Sequence, residues 1–196
     1  MSDRRHALDR FLRGAAVAER SSVTVEVIPN LDYINLRGDP ADNSFVSAVN
    51  KVLRQKIPLE SNTFSTGVST VYWLGPDEWL IVTPGGERPT MPALLGDALS
   101  GMHASLNVLS GGQVALRISG DSAAAVLAKG CTLDLHPRSF ATGQCAQTGL
   151  AKASILISKF DDVPTFEVFV RRSFAEYLAL WLQRTGAGYG ILFESP

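Results

Sequence analysis

The sequence predicts an α+β fold, a pseudo-symmetric repeat of two β-α-β-β-α halves at about 23–102 and 103–190, behind an amphipathic N-terminal arm over 1–22. Three observations predict it. Alternating, β-branched runs are interleaved with segments of helical period. The order strand, helix, hairpin, helix occurs twice. And Leu36-Arg37-Gly38-Asp39 returns as Ile118-Ser119-Gly120-Asp121, each time a strand closing in Gly-Asp shortly before a helix. Glycine permits the tight turn, and the aspartate oxygen can accept from orphan helix amides. Neither half is long enough to be comfortably stable without the other, so 23–196 reads as a single domain.

Leu8, Phe11, Leu12, Ala15 and Ala16 fall at i, i+3, i+4, i+7 and i+8, one apolar stripe with Arg10 and Arg13 turned away. This helix either folds back onto its own core or reaches for a partner. Val23 to Ile28 and Tyr33 to Leu36 alternate as strands around a turn at Pro29 and Asn30. Asp42 or Asn43 caps a helix through Phe45, Val49, Val52 and Leu53. Ser69 to Leu74 and Trp79 to Thr83 make a hairpin around Gly75-Pro76-Asp77-Glu78, and a helix through Leu94, Leu95, Ala98 and Leu99 stops at Gly101.

The second half repeats the order. Ser105 to Val108 and Val114 to Ile118 are strands, and Asp121 caps a short helix through Ala124, Val126 and Leu127. Ala153 to Ile157 and Phe166 to Val170 form a hairpin turning at Phe160-Asp161-Asp162. Ser173 caps the strongest helix, which runs to about Thr185.

Composition removes several function classes. Eighteen basic residues against nineteen acidic give a net charge of −1, unlike the basic surface that nucleic-acid binding demands. At 45 % hydrophobic and 19 % charged residues, the chain buries a core readily. No apolar run approaches the ~20 residues that span a bilayer. Asp3, Asp9 and Glu19 disagree with a transit peptide and no secretory core is present, so a cytoplasmic location is expected. Cys131 and Cys145 match neither a disulfide framework nor a zinc site, and read as small hydrophobes in a reducing compartment.

Chemistry is sparse. Gly186-Ala187-Gly188-Tyr189-Gly190 follows a helix instead of opening one, so it reads as a helix end and turn and not as a phosphate loop. His6, His103 and His136 have no second ligand at i, i+4, and no metal site is expected. His136, between Asp134 and Arg138, reads as part of a Pro-terminated loop with structural hydrogen bonds. No catalytic or cofactor-binding residue is assigned.

Apolar and amphipathic surface is the richer signal. After Ser173, Phe174, Tyr177, Leu178, Trp181 and Leu182 share a broad stripe, while Leu180 falls among Glu176, Gln183 and Arg184 on the face expected to be wet. Trp73 and Trp79 flank a turn, either as lids of the core or as interface anchors. Arg171 and Arg172 are either a solvated pair or a carboxylate clamp toward another chain. The interface candidates are therefore Leu8, Phe11, Leu12, Trp73, Trp79, Arg171, Arg172 and Leu180.

Four ordered blocks carry a family resemblance: Trp73 through Leu80; Ser110-Gly111-Gly112 through Arg117-Ile118-Ser119-Gly120; Lys129-Gly130-Cys131 through Pro137, with Phe140, Gly143 and Ala146-Gln147-Thr148; and Val170 through Leu178. Together they resemble the gamma subunits of heterotetrameric sarcosine oxidases over roughly residues 25 to 185. That family is similar to the folate-binding aminomethyltransferase (T-protein) fold, here without its C-terminal domain. The T-protein carries a Tyr-Thr-Gly-Glu turn whose glutamate helps hold folate; this chain has Phe160-Asp161-Asp162-Val163-Pro164. Lys129-Gly130-Cys131 begins like the signature of a folate-dependent relative and then departs from it at Thr132.

The resemblance implies a non-catalytic structural subunit in a complex with alpha, beta and delta chains. That complex oxidatively demethylates sarcosine to glycine with oxygen, giving hydrogen peroxide and formaldehyde or 5,10-methylenetetrahydrofolate. FAD, FMN, NAD and tetrahydrofolate are expected on the other subunits, with no nucleic acid, membrane or small molecule bound by this chain alone. The competing readings are a subunit of a related oxidase or dehydrogenase, such as one for dimethylglycine, a free-standing folate-binding T-protein-like protein, and an autonomous interaction module.

Overall fold

The computed structural model describes residues 7–13, 21–86 and 90–194; Arg4, Arg5, His6, Ala15, Ala16 and Glu19 of the expected arm lie outside them. In chain order come α1 (Asp9–Leu12), β1 (Val23–Ile28), β2 (Leu31–Gly38), α2 (Asn43–Leu53), β3 (Phe64–Thr66), β4 (Thr70–Gly75), β5 (Glu78–Pro84), α3 (Met91–Ala98) and β6 (Ala104–Val108). Then follow β7 (Gln113–Ser119), α4 (Ala123–Ala128), β8 (Cys145–Leu150), β9 (Ala153–Lys159), β10 (Phe166–Arg171), α5 (Ala175–Gly186) and β11 (Ile191–Glu194).

The strands make two sheets, of order β11-β1-β7-β10-β9-β8 and β3-β4-β5-β2-β6. Two compact units follow, Asn30–Gly111 and the segments Met1–Pro29 with Gly112–Pro196. The expected halves at 23–102 and 103–190 are thus cut differently. Thr24 to Ile28 of β1 pair with Ser119 to Ala115 of β7, while Ile34 to Gly38 of β2 pair with Val108 to Ala104 of β6. Strand pairing is non-local, so element order does not reveal which sheet a strand joins.

In the six-stranded unit, period-two alternation turns Val23, Val25 and Val27 of β1 to one face with Leu116, Ile118 and Val168, where Val126 and Leu127 of α4 and Leu178 and Leu182 of α5 cover them. In the five-stranded unit, Phe45, Val49 and Leu53 of α2 and Leu95 of α3 cover Ile34, Leu36, Trp79 and Ile81. Of the two caps the sequence offers, Asp42 and not Asn43 is the N-cap of α2, accepting from Ser44 N–H at 2.8 Å.

Two expected caps are corrected. Ser122, not Asp121, stands at the N-cap of α4, without a side-chain bond. Ser173 lies inside a 3-10 turn, Arg172–Phe174, and α5 begins after Phe174. Arg172 N–H still donates to Gly112 O at 2.9 Å, so the chain is tied to the sheet there and the tight turn absorbs the change of direction.

Candidate functional site

Once placed, the expected interface residues separate. Leu8 is fully buried, and Phe11 and Leu12 pack against the same core, with Phe11 edge-on to Phe193 at 4.9 Å. Of the two alternatives for this stripe, the described residues fold back, which corrects the placing of Leu8 at an interface. Trp79 is likewise a core residue: it is fully buried, its ring is 5.8 Å from Phe45, and its indole N–H donates to Pro58 O at 2.8 Å. Its hairpin partner Trp73, opposite it in register, is half-buried. The register shifts just beyond this pair, at a bulge between Trp73 and Gly75 next to the turn.

Arg171 and Arg172 are exposed, and Leu180 is 38 % exposed. Beside them the structure exposes Phe174 (41 %) and Tyr177 (36 %), which the sequence pattern had joined to the buried stripe. The inward face of α5 is Ala175, Leu178, Ala179 and Leu182. That set keeps strict i, i+3, i+4, i+7 spacing, and with the phase so fixed by packing, Tyr177 falls outward with Leu180. The Tyr177 hydroxyl accepts from Lys152 N–H at 3.3 Å, and the Phe174 and Tyr177 rings meet edge-on at 6.3 Å.

A polar row crosses the six-stranded sheet on the face away from α4 and α5. Glu26, Arg117, Glu167, Ser158 and Cys145 stand opposite one another in register on five adjacent strands. Arg117 donates to Glu26 at 3.2 Å and to Glu167 at 2.9 Å. Burial opposes the charge of the guanidinium, but the hydrogen bonds and charges of Glu167 and then Glu26 outweigh it and raise the Arg117 pKa. The Ser158 hydroxyl is buried without a hydrogen-bond partner.

The histidine loop is a local network. Asp134 accepts from His136 N–H at 2.9 Å and from Ser139 Oγ at 2.7 Å, and these bonds hold its carboxyl below the ordinary carboxylate value. The 160–164 turn uses its carboxylates locally too: Asp161 accepts from Thr165 N–H at 3.2 Å and Asp162 from Thr142 Oγ1 at 3.0 Å. Among the described residues no three His, Cys, Asp or Glu side chains are grouped to hold a metal ion, and no helix is long and apolar enough to cross a membrane.

Comparison with known proteins decides the family. A model of the sarcosine oxidase, gamma subunit family matches residues 37–188, from β2 through α5. The chain belongs to that family. It is 30 % identical over 173 residues to sarcosine oxidase subunit gamma of Corynebacterium sp. (strain U-96), covering 87 % of this chain and 82 % of that protein. A second gamma subunit, from Corynebacterium sp. (strain P-1), is 29 % identical over 90 % of this chain and 85 % of its own. Among solved structures, a chain of the heterotetrameric sarcosine oxidase of Corynebacterium sp. U-96, in complex with pyrrole 2-carboxylate, superposes with a TM-score of 0.84. It is 27 % identical, and the match covers 95 % of this chain and 96 % of that one. The aminomethyltransferase T of the Bartonella henselae glycine cleavage system shares the fold, with a TM-score of 0.64 at 19 % identity, over 89 % of this chain and 48 % of its own. The matched family region takes in Arg171 through Leu180 and leaves out α1 and β11.

Proposed function

We propose that this chain is the non-catalytic structural gamma subunit of a heterotetrameric sarcosine oxidase, the complex that oxidises sarcosine to glycine. The observation that carries the reading is the likeness to the heterotetrameric enzyme's chain, which spans nearly the whole of both molecules. The local use of Asp161 and Asp162 supports a subunit without a folate site of its own, since both carboxylates of the departing turn already have partners. Its partners are the alpha, beta and delta chains, which hold FAD, FMN, NAD and tetrahydrofolate, in a cytoplasmic complex. Trp73, Arg171, Arg172 and Leu180 belong to its assembly surface, and the Gly-Asp pairs at 38–39 and 120–121 are the trace of a duplicated half.

The test is native mass with a visible spectrum on tagged chain purified from its own host. Co-elution with larger, yellow, flavin-bearing subunits that oxidise sarcosine is expected. A colourless species near 21.1 kDa that binds tetrahydrofolate would overturn the reading in favour of a folate carrier.

A further inference from the structure

The outer face of α5 carries an apolar stripe that its own unit does not use. Ala175, Leu178, Ala179 and Leu182 point into the core, whereas Tyr177 and Leu180 point away and Phe174 stands at the helix start. A solvated helix face is normally charged or polar. Three large side chains on seven consecutive residues, each more than a third exposed, make a contiguous patch of the kind that partners cover.

The charges around this patch are mostly basic. Arg171 and Arg172 precede it, Arg184 follows Leu180 by one turn on the same face, and Lys152 is held beside Tyr177 by its backbone bond. Glu176 is the acidic residue of α5. Arg171, Arg184 and the Lys152 ammonium enter no ion pair among the described residues. The whole chain has a net charge of −1, so this excess is local and not a by-product of composition. The aromatics are also set before any partner arrives. The Tyr177 hydroxyl bond to Lys152 N–H and the edge-on Phe174 ring restrict both side chains, which lowers the ordering entropy of association.

We propose that this face docks a larger subunit of the same oxidase, one that presents an apolar depression rimmed by carboxylates; the proposal rests on the gamma-subunit reading. Phe174, Tyr177 and Leu180 fill the depression, and Arg171 and Arg184 fix orientation by charge-assisted bonds at its two ends. A second copy of this chain does not fit. A two-fold contact through the patch brings its cations against their own kind.

The test uses the intact complex purified through a tag on a larger subunit. Acetylation of the native complex with an N-hydroxysuccinimide ester is expected to label Lys152 at least about tenfold more slowly than in the same complex unfolded in urea, the protection expected of a group buried at an interface. Leu180→Asp is expected to weaken retention of the chain about 30-fold, the size of one hot-spot loss. Arg171→Glu with Arg184→Glu is expected to weaken it further at low salt than at high salt, because exposed charge pairs are screened. Leu94→Asp, on the comparably exposed face of α3, serves as the control and is retained. Free labelling of Lys152, or full retention of both α5 variants in a complex that forms normally, overturns the docking face and leaves the subunit reading standing. A wild-type chain that co-purifies with no larger subunit overturns both.

Discussion

Arg117 on β7 and Glu167 on β10 stand opposite each other in register, joined at 2.9 Å, with the Glu167 side chain 11 % exposed and that of Arg117 43 % exposed. Arg117 is therefore a charged hydrogen-bond partner of a nearly buried carboxylate. Replacing Arg117 by alanine removes the ion pair from a side chain that is nearly buried, whereas removing Glu26, whose side chain is 40 % exposed, breaks only a wet pair. Arg117→Ala should cost about 1–3 kcal/mol, the loss of a charge-assisted bond to a largely buried carboxylate, reduced for the exposure of Arg117. Glu26→Ala should cost no more than about 1 kcal/mol. Chemical unfolding of the two variants checks the order, and equal losses would contradict it.

Gly38 ends β2 and Gly120 directly follows β7, each before an aspartate, yet they are needed for different reasons. A Cβ at Gly38 would strike the Phe45 ring, a side chain that can be changed. A Cβ at Gly120 would strike the backbone carbonyl of Ser22, with φ at +107° besides. Both alanine variants should lose roughly 1–3 kcal/mol or more, as overpacking does. Adding Phe45→Leu should recover part of the Gly38→Ala loss, judged against Phe45→Leu alone, and no side-chain change should recover Gly120→Ala. A double-mutant cycle on thermal unfolding reads the difference.

Trp79 and Leu180 invert what their residue types suggest. Trp79→Ala empties a fully buried site and leaves Pro58 O without its indole donor, so it should cost about 3–5 kcal/mol. Leu180→Ala should change the stability of the chain by no more than about 0.5 kcal/mol. Denaturant midpoints with unchanged m-values establish both. A mild Trp79→Ala would show that the hairpin is not part of the core.

The Asp134 carboxyl gives a pH signature. Its pKa lies below the ordinary 3.8 because the charged form accepts from His136 N–H and Ser139 Oγ. The folded value is depressed, so its contribution to the 134–139 loop is present above the ordinary value and lost as pH falls through the folded one. The His136 amide proton should shift downfield-to-upfield with a midpoint below 3.8 in an NMR titration, and Asp134→Asn should abolish that step. A midpoint at or above the ordinary value would contradict the bond.

Legibility followed burial. β1, β7, β9 and β10 are interior strands rich in Val, Ile and Phe, and their alternation or apolar density marks them in the sequence. β3, β8 and β11, which the sequence did not mark, stand at sheet edges, as does β6, which it did. Cys145-Ala146-Gln147-Thr148-Gly149-Leu150 has neither alternation nor a β-branched run, because an edge strand is held by backbone bonds to one neighbour and needs less apolar surface. The helix of Ala175 to Gly186 was plain from its period, but its outward residues were not, since an aromatic at Tyr177 reads as core until the phase is fixed by what lies beneath it.

The sequence by itself determined the α+β class, most strands and helices, a cap at Asp42 or Asn43 and the gamma-subunit family, all of which are written in local pattern and ordered motifs. Tertiary structure alone decided which sheet β1 and β6 join, that Leu8 and Trp79 are core, and that Phe174 and Tyr177 face outward. The physical reason is common to all three. Apolar character says that a side chain will be covered, and only the packing of distant segments says by what.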